Sequence, residues 1–67
     1  MDIVLNGTLF SLSEVACNED SVMLQVSERL TGYYSRGWEV HRRNMRVPAT
    51  ANRKQIRSAL ADHLLAA

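Results

Sequence analysis

A single cysteine, a single proline and three glycines occur among the 67 residues of this chain. Cys17 has no second thiol to pair with, so an intramolecular disulfide is excluded. A four-ligand zinc site would have to be drawn from Cys17, His41, His63 and a carboxylate, at no recognisable spacing. No apolar run approaches the ~20 residues needed to cross a bilayer. The N-terminus lacks a basic stretch followed by an apolar one, so no signal peptide is expected. Glycine-rich phosphate loops and paired-carboxylate patterns are also missing, and Cys17 has no base close in sequence. These absences argue against a cofactor, a metal and an enzymatic activity. The unpaired thiol suits a reducing cytoplasm.

What is present is a globular composition, 46% hydrophobic and 22% charged, rather than that of a disordered tail. Residues 1–67 are expected to form a single domain. In a chain this short a core alone supplies roughly 3–5 kcal/mol, and proteins of this size usually add a disulfide, a metal or a partner subunit. With the first two excluded, a homodimer is expected.

A net charge of +1 hides a strong polarity. Residues 1–35 carry a balance of −4, from Asp2, Glu14, Glu19, Asp20 and Glu28 against Arg29. Residues 36–67 carry +5, with Arg36, Arg42, Arg43, Arg46, Arg53, Lys54 and Arg57 against Glu39 and Asp62. Such asymmetry bears on partners and association, not on fold.

Along the chain, Asn6-Gly7 sits between Ile3-Val4-Leu5 and Leu9-Phe10 and predicts a tight hairpin, because both turn positions need positive φ; one strand kinked at Gly7 competes with it. Ser11 with Glu14 reads as a capping box, which predicts a short helix over 12–17 ended by Asn18. Val22, Val26, Leu30 and Tyr33 recur at helical spacing, which predicts a central helix over 21–34; a strand over Val22–Val26 competes with it. Trp38 and Val40 share one face, while Met45 and Val47 share the other, so a one-residue slip must fall near Arg42-Arg43-Asn44. Either 38–41 pairs with 45–47 in a small hairpin with Arg42 and Arg43 at its tip, or one strand of about ten residues carries a bulge. Beyond Pro48, Thr50 is a good cap and Asn52 with Gln55 offers a second capping pair. An amphipathic C-terminal helix follows, with Ile56, Ala59, Leu60, His63 and Leu64 on its buried stripe. The predicted class is α+β: an N-terminal β-hairpin, a central helix, a basic hairpin or strand, and the C-terminal helix.

The candidate functional residues are basic. Arg53, Lys54 and Arg57 lie near the start of the last helix, where the macrodipole prefers anions; cations there can reinforce phosphate binding by the helix amides, or simply extend into water. Arg42 and Arg43, with Arg36 and Arg46 nearby, could lie along a nucleic-acid backbone, or form an ordinary solvated strand. Tyr33 and Trp38 read as core; Tyr34 is the ring best placed to be exposed for stacking. Leu60, His63, Leu64 and Leu65 give the last helix an apolar face wider than one small core needs, and mark the expected oligomer interface. Neither His41 nor His63 has a carboxylate partner nearby for acid–base catalysis.

Two functional readings follow. In the first, a small non-enzymatic regulatory protein binds DNA or RNA phosphates through Arg42, Arg43, Arg46, Arg53, Lys54 and Arg57. In the second, the chain is a protein–protein interaction module, such as an inhibitor or accessory factor of a mobile element. A third arrangement, in which acidic and basic halves pair between subunits, needs no outside ligand.

Overall fold

The computed structural model describes residues 1–29 and 39–66. Five strands, β1 (Asp2–Leu5), β2 (Thr8–Cys17), β3 (Ser21–Arg29), β4 (Glu39–His41) and β5 (Met45–Pro48), precede one helix, α1 (Arg53–Leu65). The strands make a single antiparallel sheet in the order β1-β2-β3, with β4 and β5 both paired to the far side of β3. The α+β class, the first hairpin and the closing helix are as the sequence predicts. No central helix occurs among the described residues.

Asn6 and Gly7 adopt φ values of 50° and 79°, the doubly left-handed turn that matches the twist of the strands it joins. Leu5 therefore pairs directly with Thr8, and Ile3 with Phe10. From Thr8 the chain runs extended to Cys17. Ser11 and Glu14 lie within this strand, so the short helix over 12–17 is corrected to strand. The register shifts between Glu14 and Ala16, leaving Val15 as the extra, half-exposed residue.

Asn18 ends β2 by a different route from a helix stop. Its Oδ1 accepts from the backbone N–H of Asp20 and of Ser21, each at 2.8 Å, closing a side-chain turn that reverses the chain. The helix expected over 21–34 is corrected to strand over Ser21–Arg29; residues 30–34 lie outside the described residues. The reason is arithmetic. A spacing of four fits one helical turn and equally two strand repeats, so Val22 and Val26 share a face in either geometry. Leu24 decides, because it is buried beside Val26 and would lie off the helical stripe. β2 and β4/β5 flank β3 on both sides, giving its backbone groups the partners that a helix would have supplied internally.

The hairpin of 38–41 against 45–47 is corrected as well: the described strands β4 and β5 do not pair with each other. His41 stands opposite Ser27 and Met45 opposite Leu24, so Arg42, Arg43 and Asn44 span the distance of Gln25 and Val26. That is one interrupted edge strand with a one-residue bulge, the second of the two expected forms. The Arg42 N–H donates to the Val26 carbonyl at 2.7 Å and keeps the break short. Trp38, Tyr33 and Tyr34 lie outside the described residues.

One face of the sheet carries the core. Ile3, Phe10, Leu12, Leu24, Val26, Met45 and Val47 meet Ile56 and Leu60 of α1 there. The helix starts at Asn52, which accepts from the Gln55 N–H while the Gln55 side chain accepts from the Asn52 N–H, both at 2.9 Å. Asn52, rather than Thr50, is thus the cap. The opposite face bears Val4, Leu9, Ser11, Ser13, Gln25, Ser27 and His41 in cross-strand register, and no described element covers it. No described helix is long and apolar enough to cross a membrane.

Candidate anion-binding surface

The six candidate cations are exposed, and the fold divides them among three places. Arg42 and Arg43 occupy the bulge, where the sheet edge meets the end of α1. The Arg43 carbonyl accepts from His63 Nε2 at 2.8 Å, and Arg43 Nη2 reaches back to the Ala66 carbonyl at 3.4 Å. This reciprocal clip ties the bulge to the last turn of the helix, where a cation also suits the negative end of the dipole. Arg42 is ion-paired with Glu28, which lies partly buried on the adjacent strand. Arg42, Arg43, His63, Leu64 and Ala66 line a shallow cleft of about 180 Å³.

Arg46 stands apart from them. It donates to Ser21 Oγ at 2.9 Å, beside the Asn18 turn. It lines a smaller hollow of about 100 Å³ with Asn18, Cys17 and Met23. The Cys17 thiol next to it is held above its ordinary pKa, because it donates a hydrogen bond to the Glu14 carboxylate and that negative charge opposes thiolate formation. At neutral pH the thiol is the dominant form, the opposite of what a nucleophile needs.

Arg53, Lys54 and Arg57 form the third group. Arg53 Nη2 donates to the Asp2 carbonyl and Arg57 Nη1 to the Val4 carbonyl, both at 2.5 Å. Each guanidinium has five N–H donors, so these bonds leave others directed elsewhere. The carbonyls are neutral, no acidic residue lies in the first turn of α1, and none of the three cations makes an ion pair among the described residues. Lys54 makes no side-chain hydrogen bond or ion pair among the described residues.

The expected oligomer interface is also divided. Leu60 is 0% exposed, held against the sheet within one chain, so it is not offered to a second copy. His63 is half-buried at the bulge. Leu64 and Leu65 remain at the surface, Leu65 at 83% exposure, around an apolar groove of about 250 Å³ shared with Leu5 and Phe10.

Three participants carry no signal in the local sequence. Glu28 reaches Arg42 across 14 residues, and His63 reaches Arg43 across 20. On the sheet face opposite α1, His41 Nδ1 lies 3.1 Å from Gln25 Nε2 and 3.0 Å from Ser27 Oγ. These contacts join β3 to β4 through side chains as well as through the backbone ladder. Among the described residues, no three of the His, Cys, Asp and Glu side chains converge as metal ligands would. Comparison with family models, with curated proteins and with solved structures finds no match.

Proposed function

We propose that this chain is a small non-enzymatic binding protein whose ligand is polyanionic, with nucleic-acid phosphate as its chemical class. The observation that carries the reading is the bulge cleft, where Arg42, Arg43 and the His63 ring converge from the sheet edge and the end of α1. Arginine presents a planar fork of donors that matches phosphate oxygens, and each of these two guanidiniums keeps N–H groups beyond its one bond within the chain. Arg53, Lys54 and Arg57, which make no ion pair among the described residues, add positive charge that attracts the same ligand at longer range. Arg46 contributes field rather than contact, since it lies beside a different hollow. Contacts of this type position a backbone and carry little sequence information.

The test is a gel shift with mixed duplex and single-stranded nucleic acid at two salt concentrations. Binding is expected to weaken steeply as salt rises. Arg42→Ala with Arg43→Ala is expected to reduce it further and to flatten the salt slope by about two for duplex DNA, with the fold retained by circular dichroism. Affinity that does not change with salt, or that the double variant leaves intact, removes the proposal.

A second reading, the protein-interaction module, draws on the sheet face opposite α1, which no described element covers and where Val4 is 53% exposed. It expects no affinity for random nucleic acid at low salt and a saturable complex with one protein.

A further inference from the structure

An antiparallel sheet exposes unpaired backbone groups along its two outer strands, and these invite pairing with another chain. Here each outer strand is blunted, by a different device. On the β4/β5 side, Pro48 brings no N–H and its carbonyl accepts from Ala51 at 3.0 Å, while the bulge at 42–44 breaks the row. On the β1 side the device is a pair of side chains.

The two-residue turn makes Leu5 and Thr8 a directly bonded pair. By alternation Ile3 also faces β2, whereas Asp2 and Val4 direct their N–H and C=O groups outward. Those two outward carbonyls are the ones that accept from Arg53 and Arg57. The spacings match. Residues four apart on a helix rise about 6 Å, and residues two apart on a strand about 6.8 Å, so consecutive turns of α1 meet alternate carbonyls of β1.

We propose that Arg53 and Arg57 hold the β1 edge shut against a second copy of this chain. The edge is self-complementary about a two-fold axis through Ile3: in antiparallel register, the outward groups of Asp2 and Val4 in one copy face those of Val4 and Asp2 in the other. Such pairing would also cover the half-exposed Val4 side chain and extend the sheet across both copies. The guanidiniums occupy the acceptors that the second strand would need. This inference concerns backbone carbonyls of β1 and does not depend on the anion reading of the bulge.

The experiment is the mass of Arg57→Met and of Arg53→Met/Arg57→Met by size exclusion with light scattering, over a range of protein concentration. The expected result is a concentration-dependent rise to twice the wild-type mass. Self-association should tighten about tenfold for each carbonyl uncovered, the equivalent of roughly 1.4 kcal/mol. Val4→Pro in the same background should restore the wild-type mass, because the Val4 N–H lies outside the ladder and proline is tolerated at such an edge position. Folded variants that keep the wild-type mass at every concentration overturn the proposal, as does a doubled mass that Val4→Pro leaves unchanged. Should the double variant lose its fold, Arg57→Gln, which keeps a good helix former at that position, decides the matter by the same readout. Mass and nucleic-acid binding are separate measurements, so either proposal can fail while the other stands.

Discussion

Arg53 and Arg57 at the start of the helix and Arg42 and Arg43 at the broken edge strand are alike in charge and exposure, yet their surroundings differ in kind. The helix pair donates to neutral carbonyls of β1; it makes no ion pair among the described residues, but the donors nearest the protein are occupied. At the bulge, Arg42 faces the Glu28 carboxylate, which offsets one charge, while an open cleft lies before both guanidiniums. Under the anion reading, the helix pair, spent on β1 carbonyls, would supply mainly field, and the bulge pair, which lines the cleft, would supply contact. A run of basic residues in a sequence does not separate these two uses. The fold separates them by deciding which oxygen each side chain can reach.

Three substitutions test that contrast, and the largest effect should come from the seat that both groups share. Leu60 is fully buried beneath α1, and Leu60→Ala is expected to cost about 2–5 kcal/mol. In a domain this small that displaces the helix from both groups at once. Chemical denaturation should show a much lower midpoint, and an unchanged midpoint would mean that α1 is not seated as described.

Asn52→Ala should act on one group only. It removes the side-chain half of a reciprocal cap and is expected to destabilise by about 1 kcal/mol. The first turn would loosen where Arg53 sits, and the His63–Arg43 clip at the other end would persist. Hydrogen exchange resolved by residue checks this through faster exchange at Gln55 and Ile56 without a matching change at Ala66.

The smallest effect on stability, and the most informative, belongs to Glu28→Gln. Partly exposed ion pairs contribute about 0–1 kcal/mol, so melting should move little. Arg42 would regain its full charge beside the cleft, and low-salt affinity for nucleic acid should rise. Unchanged or weaker binding would detach the bulge from the anion reading.

Much of the fold was legible where the signal is local. Asn6-Gly7 announced its hairpin through backbone conformation alone, and Asn52 with Gln55 announced the start of α1 through reciprocal hydrogen bonds three residues apart. The phase slip between Val40 and Met45 demanded a break at 42–44. The middle of the chain misled for a physical reason: Ser11 with Glu14 has the spacing of a cap, and Val22 with Val26 has a spacing common to both periods. Partner strands settled both cases, and strand pairing cannot be read from a window of one segment. The candidate surface suffered in the same way. The cations were visible as residues, but Glu28, the Arg43–His63 clip and the β1 carbonyls come from elsewhere in the chain.

The clasp on the first strand also imposes an order of events on biosynthesis. Arg53 lies 51 residues after its acceptor at Asp2, and ribosomes add about 5–20 residues per second. Roughly 3–10 s of synthesis therefore separate the making of β1 from the making of its clasp. Crowding of polysomes, rather than the finished molecule in dilute buffer, is where the late arrival of those two arginines would matter most.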